Sequence, residues 1–415
     1  MKTWSDLYIP PLDSRFKLRP LSLHDTATGA LKPLEVKQLY RMYVCGITPY
    51  DATHLGHANT YLAFDLVNRY LRAFGSDVLF VQNITDIDDP LLERANRDGI
   101  NWQDLAHSQI ELFKSDMVAL HVIPPAHYIG AVEAIPLVIS AIKTLQNGGT
   151  VYPVGEDLYF KVRSDKSFGS RSHIGEAQML TIFAERGGDP AKPGKQDPLD
   201  ALLWLSQRPN EPGWPSEFGQ GRPGWHIECC AIALNYLQVD SSNNEGNSID
   251  IQGGGSDLIF PHHEMSAAQS KMINGKEFAS HYVHAGMIGL DGEKMSKSKG
   301  NLVLVSNLLR QGHDAMAIRF ALLRHHYRKD HMWTQQDLID AELLMNRIRV
   351  SLSRPEVAPT DSVIAEIADS LAEDLDTESG ISALVKWCQA TESGASGGHA
   401  GELSRAIDAL LGIAF

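Results

Sequence analysis

The sequence contains no run of about 18 apolar residues, the length that a helix needs to cross a bilayer, so it predicts no membrane-spanning segment. Its first residues lack the apolar core of a secretory signal peptide. Cysteine is scarce, with four in 415 residues, and without a secretory signal this favours metal binding or burial over disulfides. We therefore expect a cytoplasmic protein that is not bound to a membrane.

Positive charge is also in short supply. Lys and Arg number 37 against 51 Asp and Glu, which gives a formal net charge of −14. This disfavours binding a polyanion over a large surface, although a local basic patch remains compatible with it. The hydrophobic content of 43% is that of a globular protein. At about 150 residues per domain, the length suggests two or three structural units.

Strands and helices alternate in the first part of the sequence. "MYVCGI" (42–47) and "DVLFVQNIT" (77–85) have the pattern of buried strands, separated by a helical pattern over 57–75 that stops at Gly75. A turn and helix over 86–99 and an amphipathic helix over 102–120 follow. This order predicts a parallel sheet with crossover helices.

The middle of the sequence has a different composition. Its pattern predicts a helix near 130–147, a hairpin at 150–162 and a Gly/Pro/Trp-rich loop at 207–225. Strand patterns return at 249–255 and 281–290, so the middle is predicted to be an insertion between two halves of the sheet. Residues 239–248 have the composition of a solvated loop with no recognisable chemistry. From about residue 335 the pattern is helical.

Two histidines open the first long helix, in "THLGH" (53–57). His54 and His57 flank Gly56, whose missing side chain would let a ligand lie close to the backbone. A helix N-terminus favours negative charge, so phosphates could bind there with the imidazoles as donors. The plain alternative is that the two histidines only cap and pack the helix.

A second motif, "KMSKSKG" (294–300), places lysines on a Ser/Gly-rich loop. Such a loop could close over a polyphosphate, although a lysine cluster by itself is usually solvated. The combination with an HxGH helix start is far more specific, and it resembles the nucleotide-binding core of the class I aminoacyl-tRNA synthetases. The resemblance implies a Rossmann-type fold, ATP with Mg²⁺, and activation of a carboxylate as an acyl-adenylate.

Three residues in the sequence are of metal-binding type. Cys45 lies on the first predicted strand, just before the HLGH helix, Cys229 follows "GWHIE", and His262 follows "GGGSDLIFP". All three should lie at the carboxyl edge of a parallel sheet, where such folds bind ligands. Two cysteines and a histidine are ordinary zinc ligands that leave one position open. The alternative is simple burial, which is the role we expect for Cys230 and Cys388.

Longer motifs extend the resemblance over about residues 40–340. They are "YVCGITPYD", "NITDIDDP", "NEPGWPSEFGQGRPGWHIEC", "GGGSDLIFPHHE" and "KMSKS". These stretches are similar to the cysteinyl-tRNA synthetases and, more closely, to the mycothiol cysteine ligase family, which joins cysteine to the amino group of glucosaminyl-inositol with ATP. The latter likeness implies L-cysteine, ATP and glucosaminyl-inositol as small-molecule substrates, one zinc ion per chain, and no tRNA or other nucleic acid as a partner. We expect a monomer.

Three features separate the two families. Ser266 stands where the synthetases carry a glutamate that binds zinc, one helical turn after His262, and "ERGGDP" (185–190) resembles a signature of the ligases. The segment from residue 346 onward is short. It contains five basic and eleven acidic residues, and a surface of this composition is poorly suited to bind RNA. The alternatives are a cysteinyl-tRNA synthetase with a truncated anticodon domain and a non-catalytic relative that binds nucleotide or RNA.

The resemblance also implies roles for single residues. The zinc ligands would be Cys45, Cys229 and His262, with His263 structural or on the nucleotide side. The ATP phosphates would contact the catalytic residues His54, His57, Lys294 and Lys297. The cysteinyl-adenylate pocket would be lined by Cys45, Gly46, Ile47, Thr48, Thr60, Asn83, Ile84, Thr85, Trp225, Gly255, Ser256, Asp257 and Ile288. Among these, Asp257 could pair with the substrate ammonium.

The expected fold class is α/β, with a Rossmann-type parallel sheet of class I synthetase type, an inserted α+β segment and a short C-terminal helical domain. We place the first half of the catalytic domain, with HLGH, at 1–125 and the insertion, with ERGGDP, at 126–220. The second half then covers 221–290, the KMSKS loop and linking helices cover 291–345, and the helical domain covers 346–415.

Overall fold

A five-stranded parallel sheet forms the centre of the fold. The computed structural model describes residues 1–50, 53–237, 246–295 and 301–415. A short antiparallel pair comes first in the chain, formed by β1 (Ser22–Asp25) and β2 (Ala30–Pro33). The strands of the central sheet are β3 (Leu39–Val44), β4 (Asp77–Ile84), β5 (His127–Gly130), β10 (Ile249–Gly255) and β11 (Ala279–Ala285). Their order is β11-β10-β3-β4-β5, and all neighbours are parallel. The predicted parallel α/β sheet is confirmed.

The connections run to opposite sides of β3. Helix α1 (Leu55–Ala73) leads to β4 on one side, and α2 (Asp89–Asp98) and α3 (Trp102–Ala119) lead on to β5. On the other side, β10 is joined to β11 by α7 (Glu264–Asn274). The order of the strands therefore reverses between β3 and β10. A crevice at the carboxyl ends of these two strands is the usual ligand site of open α/β sheets.

Helix α1 begins two residues earlier than the sequence predicts. His54 is its N-cap, and the His54 ring nitrogen Nδ1 accepts a hydrogen bond from the His57 N–H at 3.3 Å. The helix ends near Phe74, and Gly75 follows with φ of +100°, a conformation that suits glycine. Most of its residues are buried because it packs against the sheet on one side and against C-terminal helices on the other.

The inserted region forms a four-stranded antiparallel sheet, whose strands lie side by side in chain order. Its elements are α4 (Ala131–Asn147), β6 (Val151–Val154), β7 (Asp157–Phe160), α5 (Glu176–Glu185), β8 (Ala201–Ser206), β9 (Gly221–Pro223) and then α6 (Trp225–Tyr236). The predicted hairpin is confirmed, but the loop prediction over 207–225 is wrong at its end. Strand β9 has no apolar alternation, and it forms because its backbone pairs with β8, as at Trp204 and Pro223.

The single strand predicted over 281–290 is wrong. Strand β11 ends at Ala285, and β12 (Ile288–Leu290) pairs instead with β13 (Glu293–Lys294) and β14 (His331–Trp333). The break lies at Gly286, where a Cβ atom would be 2.5 Å from the Lys329 carbonyl carbon. Glycine thus allows two backbones to meet where the chain leaves the main sheet.

The remaining elements are helical, as predicted from about residue 335. They are α8 (Val305–Arg310), α9 (Ala315–Leu323), α10 (Gln335–Leu352), α11 (Asp361–Ala372), α12 (Thr377–Glu392) and α13 (Ala400–Leu411). In the ranges that the structure describes, no helix has the length and apolarity needed to cross a membrane. Of the solvated loop predicted at 239–248, residues 239–245 lie outside the described ranges. The five domain boundaries stay predictions.

Buried ionic contacts fix the C-terminal helices to α1. The Asp65 carboxylate accepts hydrogen bonds from Arg69 at 2.7 Å and from Arg319 of α9 at 2.5 Å. The two guanidinium groups also donate to the carbonyls of Asp408 and Leu411 at the end of α13. Cations at a helix C-terminus are favourable, so this network holds α9 and α13 against α1, the helix that packs on the central sheet.

Candidate active site at the sheet edge

Two cysteines and a histidine meet at the carboxyl edge of the sheet. Cys45 directly follows β3, Cys229 lies in α6, and His262 lies in the turn before α7. One ligand atom from each lies within 4.8 Å of the other two, and all three residues are buried. Among the described residues this is the only group of at least three such side chains that meets the criterion. Thiolate and imidazole at these separations suit a metal about 2.0 to 2.3 Å from each ligand atom.

The His262 ring is oriented by its neighbours. Its Nδ1 lies 3.0 Å from Nδ1 of His226, and Trp225 stacks on the ring with centroids 4.3 Å apart. Its buried Nε2 has no hydrogen-bond partner among the residues that the structure describes. A metal-binding histidine commonly donates its second ring N–H to a neighbour. The His262 ring therefore presents Nε2 as the free ligand atom.

The two thiols differ in acidity. Burial opposes ionisation of Cys229, but a hydrogen bond from Cys45 and the electrostatic influence of the neighbouring His262 ring lower its pKa well below the ordinary value. Burial raises the pKa of Cys45, and the hydrogen bond to Cys229 raises it further. The pair therefore favours one thiolate, on Cys229, and the thiolate is the form of cysteine that binds a metal cation.

His263 also contacts this site. Its Nε2 lies 3.3 Å from Cys45 Sγ, and its Nδ1 lies 2.8 Å from Nε2 of His284 on β11. The second nitrogen of His284, Nδ1, is 2.7 Å from the Thr26 hydroxyl. The sequence predicted only a structural role for His263, or one on the nucleotide side, and it gave no signal for His284. Their contact arises because β10 and β11 are neighbours in the sheet.

The two polar side chains that follow His262 and His263 have partners elsewhere. The Ser266 hydroxyl is buried and donates to the His226 carbonyl at 3.1 Å. The Glu264 carboxylate accepts from the Ser172 N–H at 2.9 Å and from Arg171 at 3.0 Å. Neither side chain belongs to the group of three possible ligands.

The predicted adenylate residues after β3 and β4 lie together. The Gly46 N–H donates to Asn83 Oδ1 at 2.8 Å, and the Thr85 N–H donates to the Ile47 carbonyl at 3.0 Å. A Cβ atom on Gly46 would lie 1.7 Å from the Asn83 carbonyl oxygen, so only glycine fits there. Ile84, the last residue of β4, is buried beside them.

A second group of predicted adenylate residues lies across the crevice. A Cβ atom on Gly255 would be 2.6 Å from Asp257 Oδ1 and 3.8 Å from Thr60 Oγ1, so these residues adjoin one another. Ser256 begins the turn that carries Asp257. Ile288 is buried on β12, which packs against α1, the helix of Thr60.

The predicted signature "ERGGDP" reaches the same turn. Arg186, just after α5, donates to the carbonyls of Asp257 and Phe260. The inserted region thus contacts the segment between Asp257 and His262. Sequence patterns gave no reason to expect this contact, because it joins two segments that are far apart in the chain.

The HLGH motif is joined to the segment that follows KMSKS. The His54 and His57 rings stack with centroids 3.6 Å apart, and a Cβ atom on Gly56 would lie 3.0 Å from the His54 ring. The Val305 N–H donates to the Thr53 carbonyl at 3.0 Å, and the Leu55 N–H donates to the Val303 carbonyl at 2.9 Å. Lys294 lies on β13, and Lys297 lies outside the described residues.

Residues 30–343 match the family model described as tRNA synthetases class I (C) catalytic domain. The chain is 53% identical to the L-cysteine:1D-myo-inositol 2-amino-2-deoxy-alpha-D-glucopyranoside ligase of Thermomonospora curvata, over 95% of this chain and 94% of that protein. The identity to the ligase of the same name from Streptomyces coelicolor is 51% over the full length of both. The chain belongs to this ligase family.

Two solved aminoacyl-tRNA synthetase structures share the fold of this ligase-family chain. Mycobacterium tuberculosis methionyl-tRNA synthetase in complex with methionyl-adenylate matches with a TM-score of 0.62 at 17% identity, over 86% of this chain and 82% of that chain. The Agrobacterium radiobacter K84 agnB2 LeuRS ternary complex matches with a TM-score of 0.63 at 13% identity, over 91% and 84%. These likenesses confirm the class I synthetase-type fold.

Two carboxyl groups that the sequence did not single out, those of the half-buried Asp88 and the buried Glu228, are part of this ligase-family chain, and Asp88 contacts Thr48. The Thr48 hydroxyl donates to Asp88 Oδ2 at 3.4 Å, and burial raises the pKa of Asp88 to about 6. Glu228, the neighbour of Cys229, is buried, and its Oε2 has no hydrogen-bond partner in the described part of the chain. Burial raises the pKa of Glu228, and the charges of Cys229, Asp88 and Asp86 raise it further.

Proposed function

We propose that this chain uses ATP to activate L-cysteine as a cysteinyl-adenylate and then joins the cysteinyl group to the amino group of glucosaminyl-inositol, releasing pyrophosphate and AMP. Glucosaminyl-inositol is the 1D-myo-inositol 2-amino-2-deoxy-alpha-D-glucopyranoside in the printed names of the relatives. The observation that carries the proposal is the buried Cys45, Cys229 and His262 group at the sheet edge of a chain in this family.

The residues at the sheet edge fit a zinc ion. Two thiols and the Nε2 of His262, which has no hydrogen-bond partner within the described ranges, make a three-ligand set, and the Ser266 hydroxyl donates to a backbone carbonyl. Such an ion would supply an open fourth position that prefers a thiolate to a hydroxyl, which would select cysteine over serine. Cys45, Cys229 and His262 would hold it, with His226 fixing the His262 ring and His263 donating to the Cys45 sulfur.

The nucleotide would occupy the crevice between the ends of β3 and β10. His54 and His57 at the start of α1 would contact the phosphates of ATP with Mg²⁺, with Lys294 and Lys297 as further donors. Backbone pairing at Val303–Val305 supports this, because it ties the segment after the lysine loop to the start of α1. Donors placed this way would stabilise the charge that develops on the α-phosphate as the cysteine carboxylate attacks.

The adenylate would lie between the two groups of residues on either side of the crevice. Gly46, Ile47, Thr48, Asn83, Ile84 and Thr85 supply one wall, and Thr60, Gly255, Ser256, Asp257 and Ile288 supply the other. The half-buried Asp257 carboxylate is suited to pair with the cysteine ammonium. Trp225, stacked on His262, would close the side nearest the thiol.

We propose a small acceptor in place of tRNA. The helices α10 to α13 carry more acidic than basic residues, and few cations there could release counterions from a phosphate backbone. We further propose that the chain acts as a monomer in the cytoplasm, where ATP is available. The test therefore compares glucosaminyl-inositol and tRNA directly as acceptors.

The test is a mixed assay with ATP and cysteine at low salt, which favours any RNA binding. AMP should form rapidly with glucosaminyl-inositol, and uncharged cysteine tRNA should not replace it. Serine should be a poor substitute for cysteine. Charging of tRNA at a rate comparable with ligation of the aminosugar would overturn the proposal in favour of a cysteinyl-tRNA synthetase.

A further inference from the structure

Arg186, in the signature "ERGGDP", contacts the segment that runs from Asp257 to His262, the 257–262 segment. It directly follows α5, and its Nη1 donates hydrogen bonds to the carbonyls of Asp257 and Phe260. The helical path of the chain breaks at Phe260, which has φ of −140° and ψ of 137°. Carbonyls where a helical turn ends need a donor from elsewhere. Arg186 therefore joins the two sides of a break within this segment.

The backbone after α5 brings Arg186 close to this segment. Gly187 has φ of +82°, a conformation that favours glycine. The Gly188 N–H donates to the Phe183 carbonyl at 2.8 Å, and a Cβ atom on Gly188 would lie 2.5 Å from the Phe183 ring. Phe183 and Phe260 are buried in one hydrophobic cluster. The two glycines thus let the end of α5 pack on the segment that Arg186 contacts.

The inserted region also holds the other end of the segment. Glu264, two residues after His262, has a buried carboxylate. It accepts hydrogen bonds from the N–H groups of Gly169 and Ser172, both at 2.9 Å, and from the Arg171 guanidinium at 3.0 Å. The insertion therefore fixes the 257–262 segment at both ends, through Arg186 at one end and through Glu264 at the other.

Asp257 and His262 would hold two different ends of the amino acid. In the proposed function the Asp257 carboxylate pairs with the ammonium, and His262 helps to hold the metal that takes the thiol. Two carbon atoms separate the ammonium and the thiol in cysteine, and three separate them in homocysteine. Zinc prefers a thiolate to a hydroxyl, but this preference does not distinguish the two thiols. The spacing between Asp257 and His262 can distinguish them.

We propose that Arg186 is a positioning residue that holds Asp257 and His262 at the spacing of the ammonium and the thiol of cysteine, so that the site rejects homocysteine. This inference rests on the proposed function and adds to it a selection for the length of the amino acid. Arg186 acts through the two carbonyls that it contacts and does not itself touch the substrate. A pocket built for one length rejects an extra methylene by about 10- to 200-fold.

The first test measures pyrophosphate exchange with L-cysteine and with L-homocysteine in the Arg186→Met variant. We expect the cysteine KM to rise about 10-fold and the ratio of kcat/KM for cysteine over homocysteine to fall by a similar factor. The KM for ATP should stay the same, because the phosphates would contact His54 and His57 on α1. A loss of folded protein would lower both activities equally and leave the ratio unchanged. An unchanged ratio would overturn the proposal.

Two further variants accompany this test. Arg163→Met is the matched control, because Arg163 contacts Glu176, the first residue of α5, and Asp197 at 2.8 Å, so it lies at the opposite end of the same helix. It should keep the wild-type ratio, and an equal fall there would mean that the contact of Arg186 is not the cause. Arg186→Gln covers the case in which methionine prevents folding. Its shorter side chain cannot bridge both carbonyls, so it should show the same fall, and a wild-type ratio would count against the proposal.

A binding experiment distinguishes this proposal from the proposed function. Non-hydrolysable analogues of cysteinyl-adenylate and homocysteinyl-adenylate are titrated into the metal-loaded full chain. The wild type should prefer the cysteinyl analogue by about 10-fold or more, and Arg186→Met should lose that preference. Equal affinities in the wild type would overturn the role of Arg186 even if ligation to glucosaminyl-inositol occurs. A preference that depends on Arg186, without any ligation, would instead reject the proposed function and leave the role of Arg186 in place.

Discussion

Leu304 forms an isolated β-bridge with His54, so the segment after the KMSKSKG loop pairs with the residues that begin the HLGH helix. The bridge is flanked by two backbone hydrogen bonds, from Leu55 to Val303 and from Val305 to Thr53. The start of the HLGH helix and the segment 303–305 are therefore joined through main-chain atoms.

Val305→Pro tests this connection, because it removes one N–H. Val305 is the first residue of α8, where proline is tolerated, and Leu304 before it is already extended. Losing a hydrogen bond worth about 1 kcal/mol should slow pyrophosphate exchange about fivefold, with the cysteine KM unchanged. The control is Val305→Ala, which trims the buried side chain but keeps the N–H. If alanine slows exchange as much as proline, the hydrogen bond is not the cause.

The zinc site is tested by metal content. Cys45→Ser, Cys229→Ser and His262→Ala should each lower zinc from about one per chain and lower adenylate formation with it, because each removes a ligand. Cys230→Ser should keep its metal, since Cys230 is buried next to Cys229 but lies outside the group of three ligands. Elemental analysis after dialysis against a chelator measures this. Full zinc in all three ligand variants would reject the assignment.

Ser266→Ala examines whether the site has only three protein ligands. The variant loses the hydrogen bond to the His226 carbonyl, so we expect about 1 kcal/mol lower unfolding free energy. Zinc content should stay at the wild-type level, in contrast to His262→Ala. A loss of zinc with a wild-type denaturation midpoint would mean that the hydroxyl contributes to the metal site after all.

Local patterns were enough to predict the parallel sheet. Apolar runs at 42–47 and 77–85, with a helical pattern between them, identify β3, α1 and β4 because periodicity reports which faces are buried. Local patterns did not predict strand β9, and they did not predict that β12 is separate from β11. A three-residue strand such as Gly221–Pro223 has no period to detect, and the break at Gly286 depends on a backbone contact with Lys329.

For the site, residue types and their place after strands predicted the meeting of Cys45, Cys229 and His262. The contacts of His263 with Cys45 and His284 could not be predicted, since they follow from which strands are neighbours. The reach of Arg186 to the Asp257 turn could not be predicted either, because it joins the insertion to the sheet edge. Contacts between side chains that are far apart in the chain produce no periodic pattern and no fixed spacing that a single sequence could show.

The buried network of Asp65, Arg69 and Arg319 should dominate the attachment of the C-terminal helices. All three side chains are 0% exposed, so Arg319→Met would leave Asp65 with one cation and would remove the Arg319 donor from the carbonyls of Leu411 and Leu120. Removing one partner of a buried ion pair costs about 3 to 5 kcal/mol. Urea denaturation should show that loss. Arg324→Met, at the end of the same helix with a partly exposed partner, is the control and should change stability by about 0.5 kcal/mol or less.

The same network predicts a dependence on acid. Burial opposes ionisation of Asp65, but the charges of Arg69 and Arg319 prevail and lower its pKa below the ordinary value. A carboxyl with a lowered folded pKa contributes stability that is present above its unfolded pKa of about 3.9 and is lost as the pH falls through the folded pKa. The wild type should therefore exceed Asp65→Asn in unfolding free energy at pH 5, and the gap should narrow toward pH 3. Urea midpoints at the two pH values measure it, and a constant gap would show that the Asp65 charge does not stabilise the fold.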